Sequence, residues 1–269
     1  MKHVLIAVGG ETPQIITEAV QALHEQHQVA VAEVHVLTTA RGRDLLVRDL
    51  LDPPHARLSA LCREYQLPTR FSAEMIWVYR DGDGQELDDV RTAEDNVCVR
   101  DQTFDNVRQL TSAADVCLHG CIAGGRKSMS YFLGAAFTFF RRVSGDGHPG
   151  DHLYHVLVRP AAVERIRAFF YVPRQEQVYE IPAAPGQQAG TISSADIRIE
   201  LAELPCVSVR SLLTFPSPLF PRSWQSPSLR RQTTVAGGRQ GVAMPGLGGR
   251  QSVAAERRLA PAWTAVFGS

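Results

Sequence analysis

The apolar positions of this chain fall into two patterns. Short unbroken runs such as His3–Val8 (HVLIAV) and Val116–Ile122 (VCLHGCI) end near glycine pairs, which predicts strands buried on both faces. Longer stretches repeat with a period near 3.6. In TPQIITEAVQALHEQ, Ile15, Ile16, Ala19, Val20 and Leu23 share one helical face. Thr12 suits the cap of that helix and Pro13 its first position. EVHVLTT (33–39) predicts a second strand. Residues 43–51 and 55–65 predict helical material broken at Pro53-Pro54. AEMIWVYR (73–80) predicts a third strand, leading into the turn-rich DGDGQELDD. Residues 92–110 are amphipathic, with Thr92 and Asp95 at capping-box spacing. RKSMSYFLGAAFTFF (126–140) predicts a helix apolar nearly all round, and HLYHVLV (152–158) a further strand. Strand and helix alternate about five times, which predicts an α/β fold: a mostly parallel sheet with helices on both faces.

After Pro160 the alternation degrades. FFYVPRQEQVYEIP and ADIRIELAELPCVSVR predict the two strands of an appended hairpin, joined by the loose AAPGQQAGTIS. From about Thr214 the composition turns to Pro, Ser, Gly, Gln and Arg without periodicity, and residues 221–269 hold seven arginines against one acid, Glu256. Trp224 is the one aromatic residue between those arginines, so a tail without a packed core is favoured over a nucleic-acid arm. The predicted boundaries are therefore 1–175, 176–213 and 214–269.

Composition narrows the function classes. With 269 residues the chain can bury a sizeable core, and its formal net charge is zero. A polyanion must therefore be met by local geometry rather than by a global field. Five cysteines without CxxC spacing fit a reducing cytoplasm better than a disulfide framework or zinc site. Cys117 and Cys121 read as packing residues. The histidines at 24, 27, 35 and 55 share no ligand spacing, so no metal or cofactor is expected. The apolar run at the start is too short for a signal h-region, and no stretch is long enough to span a bilayer.

Two glycine loops carry the candidate chemistry. The first is Gly9-Gly10-Glu11-Thr12-Pro13-Gln14, and the second is Gly124-Gly125-Arg126-Lys127-Ser128. Each follows a buried strand and opens a helix, so backbone N–H groups and a positive dipole end meet at a place where glycine admits close approach. Lys127 stands out, because Lys2 is the only other lysine in a chain that otherwise writes its cations as arginine. A Walker A loop needs glycine directly before the lysine, and Arg126 stands there. Pro13 interrupts any GxGxxG pattern in the first loop. Either loop alone would read as an ordinary strand–turn–helix connection. Together they point to a ligand bearing phosphates.

VGGETPQIITEAVQAL, DDVRTAEDN and CIAGGRKSM, in that order and spacing, resemble the three signature blocks of the stand-alone ring nucleases of type III CRISPR systems. These are built on the CRISPR-associated Rossmann-fold (CARF) domain. The similarity covers about the first 175 residues. It implies a cytoplasmic homodimer whose twofold-related pockets bind a cyclic oligoadenylate, most often the tetra-adenylate, and cleave it, which switches off the antiviral response. It carries the catalytic lysine onto Lys127 and the loop-one hydroxyl onto Thr12. The phosphate-cradling turn falls on Gly124, Gly125, Arg126 and Ser128, and ligand contacts fall on Gly9, Gly10, Glu11, Pro13 and Gln14. The aspartate–arginine block falls on Asp89, Arg91 and Asn96, for which an ion pair or helix cap is an equal reading. Glu11 departs from the pattern, because it places an acid in a loop expected to face phosphates.

The residues suit that chemistry. RNA carries its own nucleophile, the ribose 2′-OH, and neither loop offers a histidine as general base, so positioning and electrostatics would have to carry the reaction. The rival is a CARF sensor that holds the ring without cutting it. The C-terminal third holds no histidine for an attached R-x4–6-H ribonuclease. The Arg48–His55 spacing is interrupted by two prolines. A DNA-binding regulator would need a helix-turn-helix that the tail does not show, so no duplex DNA partner is expected.

Overall fold

The computed structural model describes residues 1–212. Its elements run β1 (Lys2–Val8), α1 (Gln14–His27), β2 (Val31–Thr38), α2 (Ala40–Leu46), α3 (Arg57–Tyr65), β3 (Ile76–Val78), α4 (Ala93–Leu110), β4 (Val116–Cys121), α5 (Lys127–Phe140), β5 (His152–Arg159), β6 (Val178–Ile181), β7 (Gly190–Ser193) and β8 (Arg198–Glu203). Six strands form one sheet in the order β3-β2-β1-β4-β5-β8; β1 to β5 are parallel and β8 is antiparallel to β5. The predicted α/β class is what the structure shows.

Alternation along β1 divides the core. Leu5 and Ala7 pack beneath α1 and α3, while Val4, Ile6 and Val8 pack with side chains of α4 and α5. Both glycine-ended strands are buried along nearly their whole length, as central strands of a covered sheet must be. The break at Pro53-Pro54 is also present: a π turn over Val47–Leu51 separates α2 from α3.

The C-terminal part is arranged differently from the expectation. The hairpin pairs Val178–Ile181 with Gly190–Ser193, so the stretch read as a loose linker supplies a strand. The strand expected to complete that hairpin, β8, instead closes the main sheet. Ile199 and Leu201 face the core beside exposed Arg198, and that one-sided alternation suits an antiparallel edge strand better than a free hairpin. The arginine-rich tail lies outside the described residues.

Two buried polar arrangements lock the frame. Asp151, fully buried just before β5, accepts hydrogen bonds from the Leu118 amide (2.8 Å) and from the backbone and guanidinium of Arg142 (2.7–2.9 Å). Along α1, Thr17 donates to the Phe170 carbonyl, and Gln21 exchanges hydrogen bonds with both backbone groups of Val172 (2.8 and 2.9 Å). The segment after β5 is thereby strapped across the helix.

Candidate functional site

β1 leads to α1 on one face of the sheet and β4 leads to α5 on the other. The two strands are neighbours, so their ends form the switch point of the sheet, outside which ligands sit in open α/β folds. Both glycine loops lie there and they touch. A Cβ on Gly10 would stand 2.9 Å from the Gly125 backbone, and one on Gly124 would stand 2.4 Å from the Val8 carbonyl oxygen. Gly125 has φ +73°, a left-handed conformation that side chains disfavour. The crevice floor is therefore bare backbone, which no larger residue could leave in place.

Charge and hydroxyls surround that floor. Lys127 opens α5 and is exposed, and among the described residues its ammonium has no ion-pair or hydrogen-bond partner. The Thr12 and Ser128 hydroxyls likewise have none among the described residues. Thr12 does not cap α1, contrary to the expectation from its position. Pro13, already in helical backbone geometry, occupies the cap and leaves the Thr12 side chain outside the helix. The first N–H groups of α1 and α5 lack intrahelical acceptors by construction.

The aspartate–arginine block is brought to the second loop. The Asp89 carboxylate grips the Arg126 guanidinium through two hydrogen bonds, Nε–Oδ1 at 2.9 Å and a second from Nη2 to Oδ2. Arg91 approaches the same carboxylate at 3.5 Å. Arg126 is thus held and half-neutralised, with Lys127 left as the unpaired cation of that turn. The Arg126 guanidinium, more than any other neighbour, lowers the Asp89 carboxyl from its ordinary value to about 2. A depressed carboxylate stabilises the fold above its unfolded pKa near 4, and that contribution is lost as the pH falls through the folded value. The melting-temperature gap between wild type and Asp89→Asn should be present at neutral pH and close as the pH drops from about 4 toward about 2. Thermal melts across that range check it, and a gap constant down to the lowest pH would contradict it.

Glu11, the acid in a loop expected to face phosphates, has a cationic partner. Its carboxylate pairs with Arg41 at 3.0 Å, at the start of α2, where both side chains are exposed. Gln14 reaches the Arg167 carbonyl (3.2 Å), while its own side-chain oxygen is buried without a partner. Asn96 donates to the Thr92 carbonyl (3.0 Å) and its oxygen is buried unpaired too. It sits in the first turn of α4, which is capped by the Thr92–Asp95 box that the sequence spacing predicts.

Three supporting residues escaped the sequence reading. Ser130 donates to the Ile122 and Gly124 carbonyls (2.8 and 3.0 Å), fixing the second loop. Met129 places its sulfur 3.3 Å from the Arg126 amide, beneath Gly125. Thr38 donates to the Gly9 carbonyl (3.0 Å). Their only trace in the sequence is position: the end of β2 and the first turn of α5.

Fold and site together define a Rossmann-like α/β protein with an anion-competent pair of glycine loops at its switch point. The model of a family described as CRISPR-associated protein NE0113 matches residues 12–220, and the chain belongs to that family. Among curated proteins none matches it. No described helix is long and apolar enough to cross a membrane.

Proposed function

We propose that the chain is a ring nuclease that binds a cyclic oligoadenylate, the tetra-adenylate first, across the touching glycine loops and opens it without a metal. One observation carries the reading. An exposed lysine without an ion pair among the described residues heads a helix beside a floor of bare glycine backbone, while the neighbouring arginine is held by Asp89. The family's CRISPR association supports the substrate class. In the proposed step the 2′-oxygen attacks the adjacent phosphorus and the 5′-oxygen leaves with a proton. The products are a 2′,3′-cyclic phosphate and a 5′-hydroxyl. Lys127 and the first amides of α5 would stabilise charge on the non-bridging oxygens. Thr12 and Ser128 would hold ribose or phosphate.

The test is to incubate the protein with cyclic tetra- and hexa-adenylate in EDTA and to identify products by mass. A linear product ending in a cyclic phosphate is expected. Intact ring after hours, with or without metal, would replace this reading with a sensor that binds and does not cut. The absence of an imidazole in either loop is the observation that favours that second reading.

A cyclic tetranucleotide presents matching faces to a twofold interface, so the proposal includes a homodimer. The outer face of α5 supports it. Tyr131 is 71% exposed and, with Ile122, Ala135 and Phe139, borders a shallow, largely apolar groove. Light scattering should show a dimer, and Tyr131→Glu should shift it toward monomer. A stable monomer, unchanged by ligand, would exclude the twofold pocket.

A further inference from the structure

We propose that His3, Cys117 and His119 form a binding site for a thiophilic divalent cation, zinc foremost, on the sheet face beneath the C-terminal end of α1. No local spacing announces it. The parallel register of β1 and β4 places His3 beside Cys117 and Leu5 beside His119, so three side chains on the same face converge although the chain separates His3 from His119 by 116 positions. Cys117, a packing residue by its strand position, thus belongs to a group of potential ligands, contrary to the expectation of none, because the register and not local spacing assembles it.

The donor atoms are those a zinc ion takes. His3 Nδ1 and His119 Nε2 stand 2.9 Å apart, Cys117 Sγ lies 3.5 Å from His119 Nε2, and all three fall within 4.8 Å of one another. Two imidazole nitrogens aimed at each other need one shared proton, and that proton occupies the point where the lone pairs meet. A cation could take its place. Tetrahedral ligands at about 2.0–2.1 Å for nitrogen and about 2.3 Å for sulfur stand about 3.3–3.6 Å apart, so the two rings need to part by only a few tenths of an ångström.

Ligation would take the Cys117 thiol from its present partner, the Gly150 carbonyl at 3.0 Å. His119 is 2% exposed and its Nδ1 has no partner. Coordination through Nε2 requires the proton to sit on Nδ1, the tautomer in which this nitrogen is a donor. The adjacent His152 is committed elsewhere, with Nδ1 on Glu203 at 2.8 Å and its ring stacked on His119. Its place is to wall the site rather than to ligate. His3 is only half-buried, which leaves an approach from solvent and a fourth position for water. Imidazole and thiolate together select zinc over the oxygen-loving cations. The site is separate from the loops: His3 lies six residues before Gly9, about 20 Å along an extended strand.

Cobalt(II) is the probe, added to the full chain after removal of metal under reducing conditions. One equivalent per chain should give tetrahedral visible bands and a near-ultraviolet thiolate-to-cobalt band, and zinc should bleach both. Cys117→Ser should abolish the near-ultraviolet band. His3→Gln, at a half-exposed position that tolerates the change, should weaken binding by at least about tenfold, as loss of a first ligand exceeds the effect of an outer one. Absence of the thiolate band in wild type, or equal affinity in wild type and His3→Gln, would reduce the cluster to a hydrogen-bonded core pair. Because the readout is spectroscopic, it is unaffected by whether the loops cut anything.

Discussion

Lys127→Ala should leave the fold intact and lower the rate of ring opening by roughly a hundredfold or more, the scale of removing one preorganised donor from a developing oxyanion. The fold should survive because the side chain is exposed and packs against nothing that defines the core. Binding of the intact ring should fall much less. The glycine floor, the free amides of α5 and the Asp89-held Arg126 all remain, and each can meet a phosphate in the ground state. Lys127→Arg should restore little, since a wide planar fork cannot stand where a compact ammonium stood, and Asp89 is already engaged by its neighbour. Single-turnover rates and ring affinities, measured for the three proteins in EDTA, separate the effects. Equal losses in rate and affinity would make Lys127 a binding residue only, and an unchanged rate would remove it from the reaction.

Asp151→Ala should cost about 3–5 kcal/mol of stability, the penalty for stripping one partner from a buried ion pair. The carboxylate is fully buried, and it holds the Arg142 guanidinium as well as two backbone amides on different elements. Removing it leaves Arg142, only 14% exposed, with the Ala113 carbonyl as its remaining partner among those described, and it orphans the Leu118 amide inside β4. For a domain of this size the loss corresponds to a fall in melting temperature of at least about 6 °C. Asp151→Asn, which keeps the shape but not the charge, should fall between the two. Denaturant unfolding is the measurement. A cost below about 1 kcal/mol would mean that desolvation of the pair already cancels its attraction.

The parts of this molecule legible in the sequence are those whose cause is local. β1 and β4 announce themselves because both faces of each are covered, which demands an unbroken apolar run, and a glycine is demanded after β1 because a Cβ on Gly10 would stand only 2.9 Å from the Gly125 backbone. The Thr92–Asp95 cap is local for the same reason. Other features arise only from pairing. Gly190–Ser193 has no apolar alternation and is a strand because Val178–Ile181 lies beside it. β8 could be recognised as a strand, but its partner could not, since β5 lies about forty residues earlier along a chain with no turn signal joining them. In the site, the two loops were readable, while the grip of Asp89 on Arg126 and of Arg41 on Glu11 depends on tertiary placement. The same holds for His3 and His119, which only the register of two parallel strands can unite.

The strap across α1 has a consequence for how the chain is made. Thr17 and Gln21 are fully buried, yet the carbonyls and amide they bind, at Phe170 and Val172, follow them by 151 to 153 residues. At about 5–20 residues per second, a ribosome presents α1 roughly 8–30 s before its cover exists. An apolar stripe left bare for that interval would invite aggregation. Here the waiting seam is a hydroxyl and a carboxamide, which water satisfies until the second half of the chain arrives. The helix can therefore emerge early without a sticky second face, and its final burial exchanges water for backbone at no large cost in exposed apolar surface.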